Sequence, residues 1–115
     1  MNDSIIRNIV NNEYIMDKYT QMKRKHGKDM IILFRVGEYF ETYFEDSRII
    51  SGIFGLDRIL LEKHFYYVIY ATRIPERSLE YYRNTLYFRG YGTIISDRIR
   101  GDGVRKTHIN ERNRD

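Results

Sequence analysis

The sequence predicts a single α/β domain, a mixed β-sheet flanked by about three helices. Three observations carry this expectation. Segments with helical spacing of apolar residues alternate with short runs rich in aromatic and β-branched residues, the pattern of helices layered on a sheet. Glycines at 27, 37, 55 and 90 punctuate the boundaries between those segments. The chain has 115 residues, 42% of them hydrophobic, enough for one core and too few for a second catalytic domain beside it.

In chain order, a helix is predicted over Tyr14 to His26. There Ile15, Tyr19, Met22 and His26 fall at i, i+4, i+7 and i+11 on one face, and Gly27 ends it. Residues 1–10 read as an N-terminal extension in which Ser4 to Val10 carries a further helical turn or two, broken near Asn11-Asn12. The body of the domain is expected over 11–99. Met30 to Phe34 is a continuous apolar run, which suits a strand buried on both faces. Gly37 supplies a tight turn, and Tyr39 to Phe44 reads as a second strand by its aromatic density. Glu45-Asp46-Ser47 puts negative charge where a helix starts, with Ile49, Ile50 and Ile53 as its apolar face and Gly55 beyond its end. Leu56 to His64 carries no clear pattern, whereas Phe65 to Thr72 reads as a central strand. After Pro75, Ser78 is positioned to cap a helix that turns Leu79, Tyr82 and Leu86 inward and stops at Gly90. Thr93 to Ile99 closes the sheet. Residues 100–115 hold eight charged residues, two glycines and only Val104 and Ile109 as aliphatics, and are expected to form a flexible tail.

Composition narrows the function. Twenty Lys and Arg against 16 Asp and Glu give a net charge of +4. The tail supplies half of it, so the body is only slightly basic. The absence of Cys excludes a disulfide framework, a thiol nucleophile and a zinc ribbon. His26, His64 and His108 stand far apart in sequence, so neither metal nor cofactor is expected. The longest apolar run, Phe65 to Ala71, is too short to span a bilayer, and Met1 to Val10 lacks the apolar core of a secretory signal. A cytoplasmic protein without a membrane partner is expected. Glu62-Lys63-His64 lacks the Glu-x-Lys spacing of metal-dependent nucleases, and neither a His-Glu-x-x-His motif nor a Gly-rich phosphate loop occurs, so no enzyme is expected. Eleven Tyr and six Phe raise the aromatic content to 15%, which suits base stacking and protein interfaces alike.

The segment Phe34-Arg35-Val36-Gly37-Glu38-Tyr39-Phe40-Glu41 resembles the signature of the N-terminal mismatch-recognition domain of the MutS family of bacterial DNA mismatch-repair proteins, Arg-hydrophobic-Gly-acidic-Phe-Tyr-Glu. The likeness extends over Tyr19 to His26, Glu45-Asp46-Ser47, Ile74-Pro75 with the helix running to Gly90, and Thr93 to Arg98, about residues 16–98 in all. The resemblance implies the fold of MutS domain I and double-stranded DNA, mismatched or bulged, as partner. It puts Tyr39 at the family's intercalating Phe and Glu41 at its base-contacting Glu. Two departures stand out: Arg73 replaces the Gly that precedes Ile-Pro, and Asp57 to Leu61 has no clear match to the family's Leu-Thr-x-Arg stretch. The family's connector, core, clamp and ATPase domains have no counterpart in the sequence, which therefore reads as a stand-alone reader without a motor. The alternative left open is a protein-interaction module of the same fold that acts on a full-length mismatch-repair protein or a mobile-element DNA protein.

Strand alternation puts Tyr39, Glu41 and Tyr43 on one face and Phe40, Thr42 and Phe44 on the other. With Phe40 and Phe44 in the core, Tyr39 is left as a wedge able to enter the minor groove and stack on a base; a mispaired step is the cheaper one to unstack. Beside it, Glu41 is expected to take up a proton on binding and donate a hydrogen bond to the mispaired base. The competing reading of both residues is an ordinary solvated sheet face. Arg35 either contacts phosphate or braces the Gly37 loop, and bracing is favoured. Lys23, Arg24 and Lys25, with Lys28, are candidate phosphate contacts, or charges that suit the end of a helix. Arg105, Lys106 and Arg112 add either sequence-independent attraction for DNA or solubility alone.

Overall fold

A computed structural model of the chain describes residues 3–63, 66–97 and 107–110, with side chains for 14–63 and 66–96. It begins with one unbroken helix, α1, Asp3–His26. The break expected at Asn11-Asn12 does not occur: Asn costs a helix interior up to about 0.7 kcal/mol, far less than the ~3 of Pro, and does not by itself stop a helix. Ile15, Tyr19 and Met22 are buried along its inner face. Gly27, with φ +99°, takes the left-handed conformation that lets its N–H donate back to the Lys23 carbonyl at 2.8 Å and ends the helix.

Strand β1, Met30–Val36, turns through Gly37-Glu38 into β2, Tyr39–Tyr43. Val36 and Tyr39 are paired, so the turn has two central residues, and Gly37 sits at the first of them with φ +62°. Strand β2 ends one residue before the expected Phe44. Phe44 has φ +56°, the one positive value outside glycine among the described residues, and carries the chain straight into α2, Phe44–Phe54. Its ring packs on Tyr19 with centroids 4.9 Å apart. Strand β3, Ile59–Lys63, forms where the sequence was unreadable, and β4, Val68–Pro75, begins three residues later than expected. A 3₁₀ turn, Glu76–Ser78, leads into α3, Leu79–Phe88; Ser78 occupies the N-cap position but makes no side-chain capping bond. Strand β5 is Gly92–Asp97 and β6 is Thr107–Asn110.

The six strands lie in the order β3-β4-β2-β1-β5-β6. Strands β1 and β5 are parallel and the other neighbours antiparallel, so the sheet is mixed. Alternation along β1 divides the core in two. Met30, Ile32 and Phe34 join Ile15, Tyr19 and Met22 of α1, together with Tyr43, Ala71 and Ile94. Ile31 and Leu33 join Phe40, Ile50, Ile74, Leu86 and Ile95 beneath α2 and α3. The expected α/β class, with three helices on a mixed sheet, is the one observed. The expectation of a free tail over 100–115 is corrected at Thr107–Asn110, which pairs with β5 from Thr93↔Asn110 to Ser96↔Thr107. Flanking charge hides those four residues in the sequence, yet an open strand edge needs only backbone partners. The rest of that segment, including Arg105, Lys106 and Arg112, lies outside the described residues, as do His64, Phe65 and Ile99. Among the described residues no helix is long and apolar enough to cross a membrane.

Candidate nucleic-acid interface

The hairpin tip and the end of β4 form one corner of the sheet. Strand β2 lies between β1 and β4, so Tyr39 is flanked by Val36 on one side and Pro75 on the other, Phe40 by Arg35 and Ile74, and Glu41 by Phe34 and Arg73. The Ile-Pro element is thereby brought against the Gly-acidic-aromatic motif from which it is separated in sequence. The Glu76 N–H donates to the Glu38 carbonyl at 3.0 Å and ties the 3₁₀ turn to the tip. An open groove of about 430 Å³ lies here, lined by Glu38, Tyr39, Pro75, Glu76 and Arg77.

Side-chain burial changes abruptly along β2. Tyr39 is 49% exposed, whereas Phe40 directly after it is fully buried. Arg35 places its guanidinium 4.7 Å from the Phe40 ring centroid, and its Nη1 donates to Glu76 Oε2 at 2.6 Å. It thus braces the base of the hairpin against the 3₁₀ turn.

Glu41 does not share the exposure of Tyr39. Its side chain is 1% exposed, accepting from Arg73 Nε at 2.5 Å and from the Tyr43 hydroxyl at 2.6 Å. The solvated face expected from alternation is therefore corrected from Glu41 inward. Alternation says which residues share a face, but α1 packs on that face and Arg73 closes over its end. Tyr43 is wholly buried, its ring 5.2 Å from that of Phe34. On the other face Thr72, opposite Thr42, bonds Ser47 and Ser51 of α2 at 2.6 and 2.8 Å, locking α2 to the centre of the sheet.

The basic cluster lies elsewhere. Lys23 Nζ donates to Asp46 Oδ1 at 2.8 Å, to the Met30 carbonyl at 2.6 Å and to the Lys28 carbonyl at 3.0 Å. Those three bonds use its three donors, so Lys23 is corrected from a phosphate contact to a clasp between α1, β1 and α2. The second oxygen of Asp46 accepts from the Ile32 N–H at 2.9 Å. Burial raises the Asp46 carboxyl above its ordinary range against the pull of Lys23. Burial, reinforced by the Asp46 charge, raises the Tyr19 hydroxyl as well. Arg24 and Lys25 are exposed. They belong to the end of the sheet at Met30, about 20 Å along β1 from the end that carries Tyr39. The cations that share the Tyr39 corner are Arg35, Arg73 and Arg77. Neither Arg73 nor Asp46 stands out as a site residue in the sequence; the one signal for Arg73 is that it stands before Ile-Pro where the family resemblance has glycine.

A family model described as MutS domain I matches residues 13–112. The chain belongs to the MutS domain I family. Over 95 residues, 83% of this chain and 10% of the relative, it is 31% identical to the DNA mismatch repair protein MutS of Porphyromonas gingivalis. It is 31% identical to the MutS of Thermotoga petrophila over 85 residues, 74% of the chain and 10% of that protein. With the MutS of Pseudothermotoga lettingae the identity is 32% over 92 residues, 80% of the chain and 11% of that protein. The chain thus spans about a tenth of the length of the curated relatives it matches. These relatives are DNA mismatch repair proteins. In this MutS domain I, the half-exposed Tyr39 and Arg73 stand two residue pairs apart along the β2–β4 ladder, on the same corner.

Proposed function

We propose that this MutS domain I binds double-stranded DNA without catalysis and inserts Tyr39 beside a mispaired or bulged base. The observation that carries the reading is the half-exposed Tyr39 ring beside the buried Phe40, on an interior strand of the sheet. An aromatic wedge held this way enters the minor groove where unstacking is cheapest. Nothing in that action requires ATP. Arg73 and Arg77 supply positive charge next to the ring, and Glu38 and Glu76 offset part of it, so affinity is expected to be modest. A single module buries on the order of 600–1,000 Å² on DNA, and a dissociation constant of roughly micromolar or weaker follows. The exposed Tyr81 and Phe88 on α3 support a second use, docking on a protein such as a full-length mismatch-repair protein.

Fluorescence-anisotropy titrations of matched, mismatched and single-base-bulged duplexes at two salt concentrations test the reading. Wild type is expected to prefer the distorted duplexes and to weaken as salt rises. Tyr39→Ala is expected to abolish the preference while changing stability by less than about 0.5 kcal/mol, as for other surface substitutions. Tyr39→Phe is expected to keep it. Failure to bind any of the three duplexes would leave the protein-docking reading instead, and a preference that survives Tyr39→Ala would rule out the wedge.

A further inference from the structure

We infer that Arg73 sets the selectivity of this surface: by capping Glu41 it leaves Tyr39 to read distortion of the base stack and keeps the carboxylate from reading which base is mispaired. The inference rests on the DNA-binding reading above and deepens it. Tyr39 and Glu41, two residues apart on β2, share a face, so a carboxylate is in principle available beside the wedge. It is not available in this fold. Glu41 is 1% exposed, one of its oxygens is held by Arg73 Nε and the other by the Tyr43 hydroxyl. Presenting it to a base edge means breaking both bonds and separating a buried carboxylate from its cation, a strongly unfavourable exchange.

The geometry of the cap is fixed by the sheet. Arg73 lies directly opposite Glu41 in the β2–β4 ladder, the closest cross-strand relation a pair of side chains has. Its own side chain is 42% exposed. The corner therefore offers solvent a guanidinium where it would otherwise offer a carboxylate. A guanidinium next to the wedge attracts phosphate whatever the sequence, while a carboxylate repels phosphate and is matched by particular base edges alone. Exchanging one for the other trades identity of the mispair for general affinity to a distorted duplex.

The test is a double-mutant cycle read on duplexes carrying a G·T mismatch, an A·C mismatch, a single-T bulge or no defect. In wild type the two mismatches are expected to bind within about twofold of each other, and Glu41→Gln to change each affinity by less than about twofold, since the residue does not contact DNA. In Arg73→Gln the carboxylate is uncapped, and the two mismatches are expected to separate by about fivefold or more, a separation that adding Glu41→Gln collapses. Arg73→Lys, which keeps a cation over Glu41, is expected to behave as wild type. A purely structural role for Arg73 would lower all affinities together and leave their ratios unchanged, which would overturn the inference. So would a loss of mismatch discrimination in Glu41→Gln with Arg73 intact, a comparison that stands even where Arg73→Gln does not fold. Absence of wild-type binding to every duplex, or a preference indifferent to Tyr39→Ala, would instead fail the DNA-binding reading and this inference with it.

Discussion

Among the described residues two carboxylates are buried against cations, and the two pairs behave as opposites. At one end of the sheet Asp46 meets Lys23, with side-chain exposures of 0% and 16%. At the other end Glu41 meets Arg73, with exposures of 1% and 42%. The acids are equally hidden, so the difference lies in the cations. Lys23 spends every donor inside the protein and joins the end of α1 to β1 and α2. Arg73 holds its acid from the surface side. A buried acid alone does not separate a clasp from a working surface; the accessibility of its partner does.

Removing Asp46 is the severest way to break this comparison. Asp46→Ala leaves the largely buried Lys23 ammonium without its counter-charge and the Ile32 N–H without its acceptor, and a loss of about 3–5 kcal/mol is expected in urea unfolding. A loss below about 1 kcal/mol would mean that the clasp holds little and that the two ends are alike.

A smaller effect lies in pH. Burial raises the Asp46 carboxyl above its ordinary 3.8, so the folded state binds this proton before the unfolded state does. The cost of the buried charge is present at neutral pH and relieved as pH falls through the raised value toward 3.8. Asp46→Asn has no proton to gain. The stability of wild type relative to Asp46→Asn is therefore expected to improve from neutral pH down to about 4, read from urea midpoints at matched pH. The adjacent Glu45 has the opposite sign: its bond with Arg48 lowers its carboxyl, so its contribution is present above its ordinary 4.5 and lost as pH falls through the lowered value. A relative stability that falls with acidification would reverse the assignment of Asp46.

The smallest effect sharpens the comparison from outside. Arg35 and Glu76 form an ion pair exposed on both sides, 40% and 48%. Glu76→Gln is expected to cost about 0–1 kcal/mol, most of it gone at high salt, because neither charge has left water. The pairs then rank by how much of each partner is withdrawn from solvent.

What the sequence made legible here was local. Gly27, Gly37, Gly55 and Gly90 all take positive φ at the boundaries they were assigned. Tyr39 exposed with Phe40 buried follows from a period of two, and Ile15, Tyr19 and Met22 from a period of 3.6. The missing parts depend on contacts distant along the chain. Lys23 finds Asp46 23 residues later and Glu41 finds Arg73 32 residues later, so neither pair has a spacing to betray it. By residue type Phe44 reads as strand, whereas it takes a positive φ and packs on Tyr19. Thr107–Asn110 acquires its structure from the edge of β5, which no local propensity encodes.

Tyr39 is attached to the protein in a way that bears on what association costs. It is the first residue of a strand paired on both sides, to Val36 and to Pro75, and the Glu38 carbonyl before it is held by the Glu76 N–H. A ring carried on a loop must surrender the conformational entropy of several backbone residues when a partner immobilises it, on the order of 1–2 kcal/mol for each. Here that entropy is surrendered on folding. Docking orders one side chain with two torsions, an expense of about 1 kcal/mol, so a contact of small area retains most of its gross interaction energy.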